Sequence, residues 1–99
     1  MSLAPYWSDG LSAIYHGDSR ELLPHLGQFD LVLTDPPWPN SSVAIPGGDR
    51  PFELLREVAT FWPALCRSAV VHLGCDTDPR FLLAIPPELP FVRVVWCNT

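Results

Sequence analysis

A carboxylate, two prolines and an indole follow one another at Asp35, Pro36, Pro37 and Trp38. Neither proline has a backbone N–H, so the pair ends a strand's hydrogen-bond ladder and stiffens the backbone behind the carboxylate. An exocyclic amino group has two N–H donors, and the Asp35 carboxylate and the Pro36 carbonyl offer two acceptors. The Trp38 ring offers a plane on which a base can stack. This tetrapeptide therefore predicts a site for a planar amine.

The tetrapeptide needs a rigid element before it, and the sequence supplies one. Residues 29–34 read Phe-Asp-Leu-Val-Leu-Thr, an apolar run that is typical of a buried strand. Residues 35–50 are rich in Pro, Gly, Ser and Asn, which predicts a loop. Ligands of parallel α/β sheets bind beyond the carboxyl ends of the strands, so we expect the chemistry in this loop.

The rest of the chain alternates between predicted strands and predicted helices. The predicted strands cover 13–16, 29–34, 68–73 and 91–96. The predicted helices cover 19–26, 78–84 and a segment that begins at Pro51, whose apolar face holds Leu54, Leu55, Val58, Trp62 and Leu65. This alternation predicts an α/β fold with a mostly parallel sheet and crossover helices.

Composition limits the classes of protein that the chain can belong to. Its 99 residues suffice for one small domain, and a hydrophobic fraction of 47% with 17% charged residues argues against a disordered chain. The net charge is −5 with only six Lys and Arg, which argues against a nucleic-acid-binding module that acts alone. Twelve prolines exclude long uninterrupted helices.

The three cysteines, Cys66, Cys75 and Cys97, are odd in number and lack metal-binding spacing. We interpret them as reduced thiols, which are typical of cytoplasmic proteins, and we expect no bound metal. The chain has no apolar run near the roughly 18 residues of a membrane span and no signal peptide at its start. We therefore expect a cytoplasmic protein without a membrane partner.

Residues 14–38 resemble the DNA amino-methyltransferases that use S-adenosylmethionine. Those enzymes carry Asp-Pro-Pro and an aromatic residue after a strand, and here Ile-Tyr-His-Gly-Asp precedes that pattern at 14–18. The resemblance implies a Rossmann-like class I methyltransferase sheet, S-adenosylmethionine as the cofactor and DNA as the partner. Within the adenine-N6 and cytosine-N4 types, aspartate at position 35 favours adenine, since serine is more usual in the cytosine enzymes.

The resemblance also implies roles for individual residues. Asp35 and the carbonyl of Pro36 would orient the amine, with Pro37 as part of the rigid motif, and Trp38 would stack on a flipped base. Asp35 and Asp18 would face the cofactor. Asp18 has a second interpretation, because it precedes a predicted helix and stands at capping-box spacing from Glu21.

The glycine-rich loop that carries the methionine end of the cofactor in this family does not occur among the 99 residues. We interpret residues 1–99 as the single N-terminal portion of a catalytic domain with permuted motif order, in which the glycine-loop half of the sheet is missing. Another chain is one way of completing that sheet. We expect this portion alone to be inactive and to bind S-adenosylmethionine weakly or not at all.

Two alternatives to a DNA enzyme stay open. The first alternative is an enzyme that methylates an RNA base, because RNA amino-methyltransferases also use Asp-Pro-Pro and an aromatic residue. A non-catalytic remnant or interaction fragment is the other alternative.

We also predict that residues 39–50 form a lid, with Gly47 and Gly48 as its hinge and Val43 and Ile45 closing over a bound base; a surface loop without function is the competing interpretation. The three histidines, His16, His25 and His72, are interpreted as structural.

Overall fold

Two parallel strands and the helices that connect them form the centre of the fold. The computed structural model describes residues 3–39, 44–74 and 76–96. The elements are β1 (Trp7–Ser8), β2 (Ala13–Ile14), α1 (Ser19–Leu22), β3 (Leu31–Thr34), α2 (Pro51–Ala59), α3 (Trp62–Leu65) and β4 (Ser68–Val71), with 3₁₀ helices at Leu23–His25 and Pro79–Ala84.

Strands β3 and β4 pair in parallel, in a register that runs from Leu31 opposite Ser68 to Thr34 opposite Val71. A parallel pair needs a long crossover connection, and α2 and α3 lie in that connection. Both strands are shorter than the predicted segments 29–34 and 68–73. The chain thus has mixed α/β content with a parallel two-stranded sheet, and the larger Rossmann-like sheet stays a prediction.

Strands β1 and β2 form a separate antiparallel pair, with Trp7 opposite Ile14. The Asp9 carboxylate accepts hydrogen bonds from the backbone N–H groups of Leu11 and Ser12, and Gly10 takes a positive φ of 88°. This Asp-Gly turn closes a hairpin. The strand predicted over 13–16 covers only Ala13–Ile14. The prediction that it joins the parallel sheet was wrong, because the turn at Asp9 and Gly10 pairs it with β1.

Three further predicted elements differ from the structure. Helix α1 ends at Leu22 and continues as a 3₁₀ turn, because Pro24 has no N–H with which to extend an α-helix. The segment predicted as a helix over 78–84 is a 3₁₀ helix over Pro79–Ala84. The strand predicted over 91–96 was wrong: these residues form no strand with any part of the chain that the structure describes. A sequence of high β propensity remains without strand structure when no strand pairs with it.

The core lies between the crossover helices and the second 3₁₀ helix. The predicted apolar face is confirmed for Leu55, Trp62 and Leu65, which are buried, whereas Leu54 and Val58 are half-buried. The buried cluster consists of Leu55, Ala59, Trp62, Cys66, Phe81 and Ala84. Cys66 is a buried free thiol, and the other two cysteines lie outside the described residues.

The parallel pair is packed on one face and open on the other. Val32, Ala69 and Val71 pack against the buried cluster. The residues that alternate with them are exposed, and the large ones among these are Leu31, Leu33 and Val70. We call this second surface the open sheet face.

No helix within the described ranges is long and apolar enough to cross a membrane.

Replacing Leu55 with alanine should lower the free energy of unfolding by about 2–5 kcal/mol, because it leaves a cavity beside Trp62. Leu83→Ala is the matched control: the exposed fraction of Leu83 is 76%, against 2% for Leu55. This control should change stability by no more than about 0.5 kcal/mol. Urea denaturation of both variants measures the difference, and equal effects would contradict the core as described.

Candidate amine-binding site

Asp35 and His72 leave the parallel pair side by side. Thr34 and Val71 are partners at the carboxyl ends of β3 and β4, so the next residue of each strand emerges at the same edge. The backbone N–H of His72 donates to the carbonyl of Thr34 at 2.9 Å, which extends the ladder by one bond. Nδ1 of His72 lies 3.2 Å from Oδ1 of Asp35, and both side chains are more than half exposed, at 57% and 62%. The carboxylate is therefore open to solvent on one side and has a histidine on the other.

Trp38 returns to the same edge and is fixed in orientation. Its indole Nε1–H donates to the carbonyl of His72 at 2.9 Å. The indole and imidazole rings meet edge to face, with centroids 5.6 Å apart and an angle of 73° between their planes. The half-buried Trp38 also packs against the core cluster. The structure thus brings Asp35 and Trp38 together around His72.

Gly74 makes room for the indole. A Cβ atom at Gly74 would lie 2.8 Å from Cε3 of Trp38, which is closer than non-bonded carbon atoms approach. The indole is anchored at its N–H, so it cannot move aside without losing the bond to His72. Sequence reasoning missed Gly74, because a glycine after a strand has many possible causes.

The position of His72 was not foreseen from the sequence. We interpreted the residue as structural, and the structure places it against Asp35 and Trp38; its structural role stays an interpretation. The strands predicted over 29–34 and 68–73 indicate that residues following them lie near each other, since residues after neighbouring parallel strands emerge at one edge of the sheet. Their register decides which residues meet, and the register is not visible in the sequence.

The two prolines hold the segment between Asp35 and Trp38, and both are half-buried. No backbone N–H within the described ranges donates to the carbonyl of Pro36. Among the residues that the structure describes, neither predicted acceptor, the Asp35 carboxylate or this carbonyl, receives a backbone hydrogen bond.

Asp18 acts as the N-cap of α1, as one of its two interpretations predicted. Its Oδ1 accepts the backbone N–H of Arg20 at 2.9 Å and the Nε–H of the same residue at 3.0 Å, and Oδ2 accepts from Nη2 at 2.7 Å. The guanidinium continues to Glu57 on α2 at 3.0 Å. The side-chain hydrogen bond from Arg20, aided by its backbone N–H, lowers the pKa of Asp18 to about 2.

Both oxygens of Asp18 thus already accept hydrogen bonds within the chain. A ribose hydroxyl would have to share them with Arg20, so the structure gives the cofactor role of Asp18 no support of its own. That role stays a prediction.

The predicted lid is described only in part. Val43 lies outside the described residues, together with the rest of 40–43. Ile45 is exposed, and two successive turns follow it, in which Gly48 N–H donates to Ile45 and Arg50 N–H donates to Gly47. Gly47 has a φ of 84°, so the first proposed hinge glycine serves as a turn residue that leads into α2.

Comparison with known proteins finds no match for this chain, whether to a family model, to a curated protein or to a solved structure. The resemblance to amino-methyltransferases therefore depends on the motif residues at 14–38. The arrangement of Asp35, Trp38 and His72 stands independently of that resemblance, because it follows from the strand register.

Gly74→Ala should displace the indole of Trp38 and destabilise the fold by about 1–3 kcal/mol, as overpacking does. The indole N–H resonance of Trp38, assigned from a Trp38→Phe variant, should shift in the NMR spectrum. Gly27→Ala is the control, since a Cβ at Gly27 meets nothing within 4 Å. An unchanged indole resonance in Gly74→Ala would contradict the packing described.

Acid should weaken the fold through Asp18. Its pKa is about 2 in the folded protein, against an ordinary value of 3.8, so the unfolded chain binds the proton more tightly. The stabilisation is complete above pH of about 4 and is lost as the pH falls towards about 2. Asp18→Asn keeps a capping oxygen but does not titrate, so its thermal midpoint should fall less over this pH range.

Asp78 and Arg80 form a second pair that lowers the pKa of Asp78 to about 2, so Asp18→Asn should remove only part of the acid sensitivity. Asp30→Asn serves as the control, because Asp30 makes no ion pair with any residue that the structure describes. An acid sensitivity unchanged in Asp18→Asn but reduced in Asp30→Asn would contradict the assignment.

Proposed function

We propose that this chain forms the amine-binding part of an S-adenosylmethionine-dependent DNA methyltransferase that acts on the exocyclic amino group of adenine. The observation that carries the proposal is the exposed Asp35 carboxylate at the carboxyl end of β3, followed by two prolines and the anchored indole of Trp38. The parallel pair of β3 and β4, linked by helices, is compatible with a portion of a Rossmann-like class I methyltransferase sheet.

The chain's part in such a reaction is to hold the amine. The Asp35 carboxylate accepts one amine N–H and the Pro36 carbonyl accepts the other, which turns the nitrogen lone pair towards the incoming methyl group. S-adenosylmethionine, when bound, supplies an electrophilic methyl group. The amine nitrogen would become positively charged as its bond to the methyl group forms and the bond from that methyl group to the sulfonium breaks, which would leave a neutral thioether. The Asp35 carboxylate would stabilise that charge until the surplus proton passes to solvent. Trp38 supports the ring of the base, and no cysteine nucleophile takes part.

The residues of this chain fit the amine better than the cofactor. Asp35 is exposed and has His72 next to one of its two oxygens, whereas both oxygens of Asp18 accept from Arg20, and no glycine-rich loop occurs in the sequence. We propose that the groups that bind the cofactor come mainly from a larger catalytic domain of which residues 1–99 are the N-terminal portion. The open sheet face supports this proposal, because it leaves Leu31, Leu33 and Val70 uncovered.

DNA would be bound through the complete enzyme. The chain has a net charge of −5, and two of its six arginines, Arg20 and Arg80, form ion pairs with its own acids. Phosphate contacts depend on basic side chains, so these residues would provide few. We place the reaction in the cytoplasm, where reduced thiols such as buried Cys66 are typical.

One observation favours a second candidate, a non-catalytic interaction fragment. Large apolar side chains are exposed on the open sheet face and along 91–96, and exposed apolar patches often mark contacts with another chain. A partner chain that packs on these surfaces would cover them. The two candidates differ at Asp35, because an interaction fragment does not need this carboxylate.

Asp35→Ala in the complete enzyme should lower methyl transfer to adenine at least about 100-fold, as loss of a group that stabilises transition-state charge does. Asp30→Ala is the control: this acid directly precedes the same strand and should leave the rate unchanged. The assay follows labelled methyl groups into DNA and RNA, and chromatography of the digests identifies the base. Full activity in Asp35→Ala would contradict the proposal, and label in RNA adenine alone would select the RNA alternative.

A further inference from the structure

His72 connects the two ends of the Asp-Pro-Pro-Trp segment through its backbone. Its N–H donates to Thr34 just before the segment, and its carbonyl accepts from the indole of Trp38 at the end. Any residue except proline could make these two bonds at position 72, because both use main-chain atoms. They therefore do not explain why the side chain at this position is an imidazole.

Among the described residues, the Asp35 carboxylate is the charged group that lies next to the imidazole. Its Nδ1 is 3.2 Å from Oδ1 of Asp35, and no other ion pair of His72 occurs within the described ranges. A neutral imidazole carries one N–H, and only the tautomer with the proton on Nδ1 has a donor on the side of the carboxylate. The edge-to-face contact with Trp38 limits how far the ring can turn away.

We propose that His72 is a positioning residue for the amine-binding carboxylate. The Nδ1–H holds Oδ1 of Asp35, so that Oδ2 remains for an amine N–H of the base, and Nε2 carries no proton at neutral charge. The identity of the amine rests on the proposed function, whereas the interaction between His72 and Asp35 does not.

An exposed carboxylate needs such a partner. The Asp35 side chain is 62% exposed, so packing alone does not restrict its rotamers. A displacement of about 1 Å in a reacting arrangement can cost about 100-fold in rate. A fixed Oδ1 thus makes the direction of Oδ2 part of the folded structure before any base binds.

The tautomer of His72 is the first test. In ¹⁵N NMR spectra of the 99-residue chain at a pH where histidine is neutral, we expect the proton on Nδ1. Free histidine prefers the Nε2–H form, and Asp35→Ala should return His72 to that form, while His25, which has no ion pair among the described residues, stays unchanged. A proton on Nε2 in the wild-type chain, or a tautomer that Asp35→Ala does not alter, would overturn the proposal.

Two substitutions in the complete enzyme give the second test. Asparagine places an amide N–H near the position of Nδ1, whereas glutamine places it near Nε2. We expect kcat/KM to fall at least about 10-fold in His72→Gln and to be substantially rescued in His72→Asn. The backbone bonds to Thr34 and Trp38 persist in both variants, so a purely structural role predicts equal activity in the two.

These tests separate this inference from the proposed function. If the wild-type chain shows the Nδ1–H tautomer but the complete enzyme methylates no base, the proposed function fails and the pairing of His72 with Asp35 stands. If the enzyme methylates adenine and the two His72 variants are equally active, the positioning role fails and the proposed function stands.

Discussion

The site depends on the register of one pair of parallel strands. Because Thr34 lies opposite Val71, the residues that follow them, Asp35 and His72, emerge together at one edge of the sheet. A slip of one residue would send every side chain of β3 to the opposite face and separate the carboxylate from the imidazole. The prolines cannot repair such a slip, since they stiffen the chain only after the strand has ended.

Side-chain packing stabilises that register on only one face of the strand pair. Val32, Ala69 and Val71 pack against a small core, in which Leu55 and Trp62 are the largest fully buried side chains. The other side of the pair, with Leu33 and Val70, remains open. Burial of one face is enough to choose between the two faces of a strand. The open face is where another layer of structure, from a larger domain or from another chain, would add further stabilisation.

The sequence predicted the local features better than the contacts between distant segments. The existence of a strand before Asp35, the apolar face with Leu55 and Trp62, and the helix cap at Asp18 all depend on neighbouring residues, and the structure confirms them. The burial predicted for that strand was wrong, because its Leu31 and Leu33 face is exposed. The proximity of His72 to Asp35 and the close approach of Gly74 to Trp38 depend on which strands pair and in what register. The predicted strand over 91–96 failed for the same reason: β propensity is visible in the sequence, but a strand partner is not.

An NMR titration of the chain with adenosine and with inosine tests most directly whether Asp35 accepts an exocyclic amine. Inosine has a carbonyl oxygen where adenosine has its amino group, and the two are otherwise similar in shape. We expect adenosine to shift the carboxyl carbon of Asp35 and the indole N–H of Trp38, with inosine shifting the Asp35 signal far less. Equal responses of the Asp35 carboxyl carbon to the two nucleosides, or none to adenosine, would contradict the account.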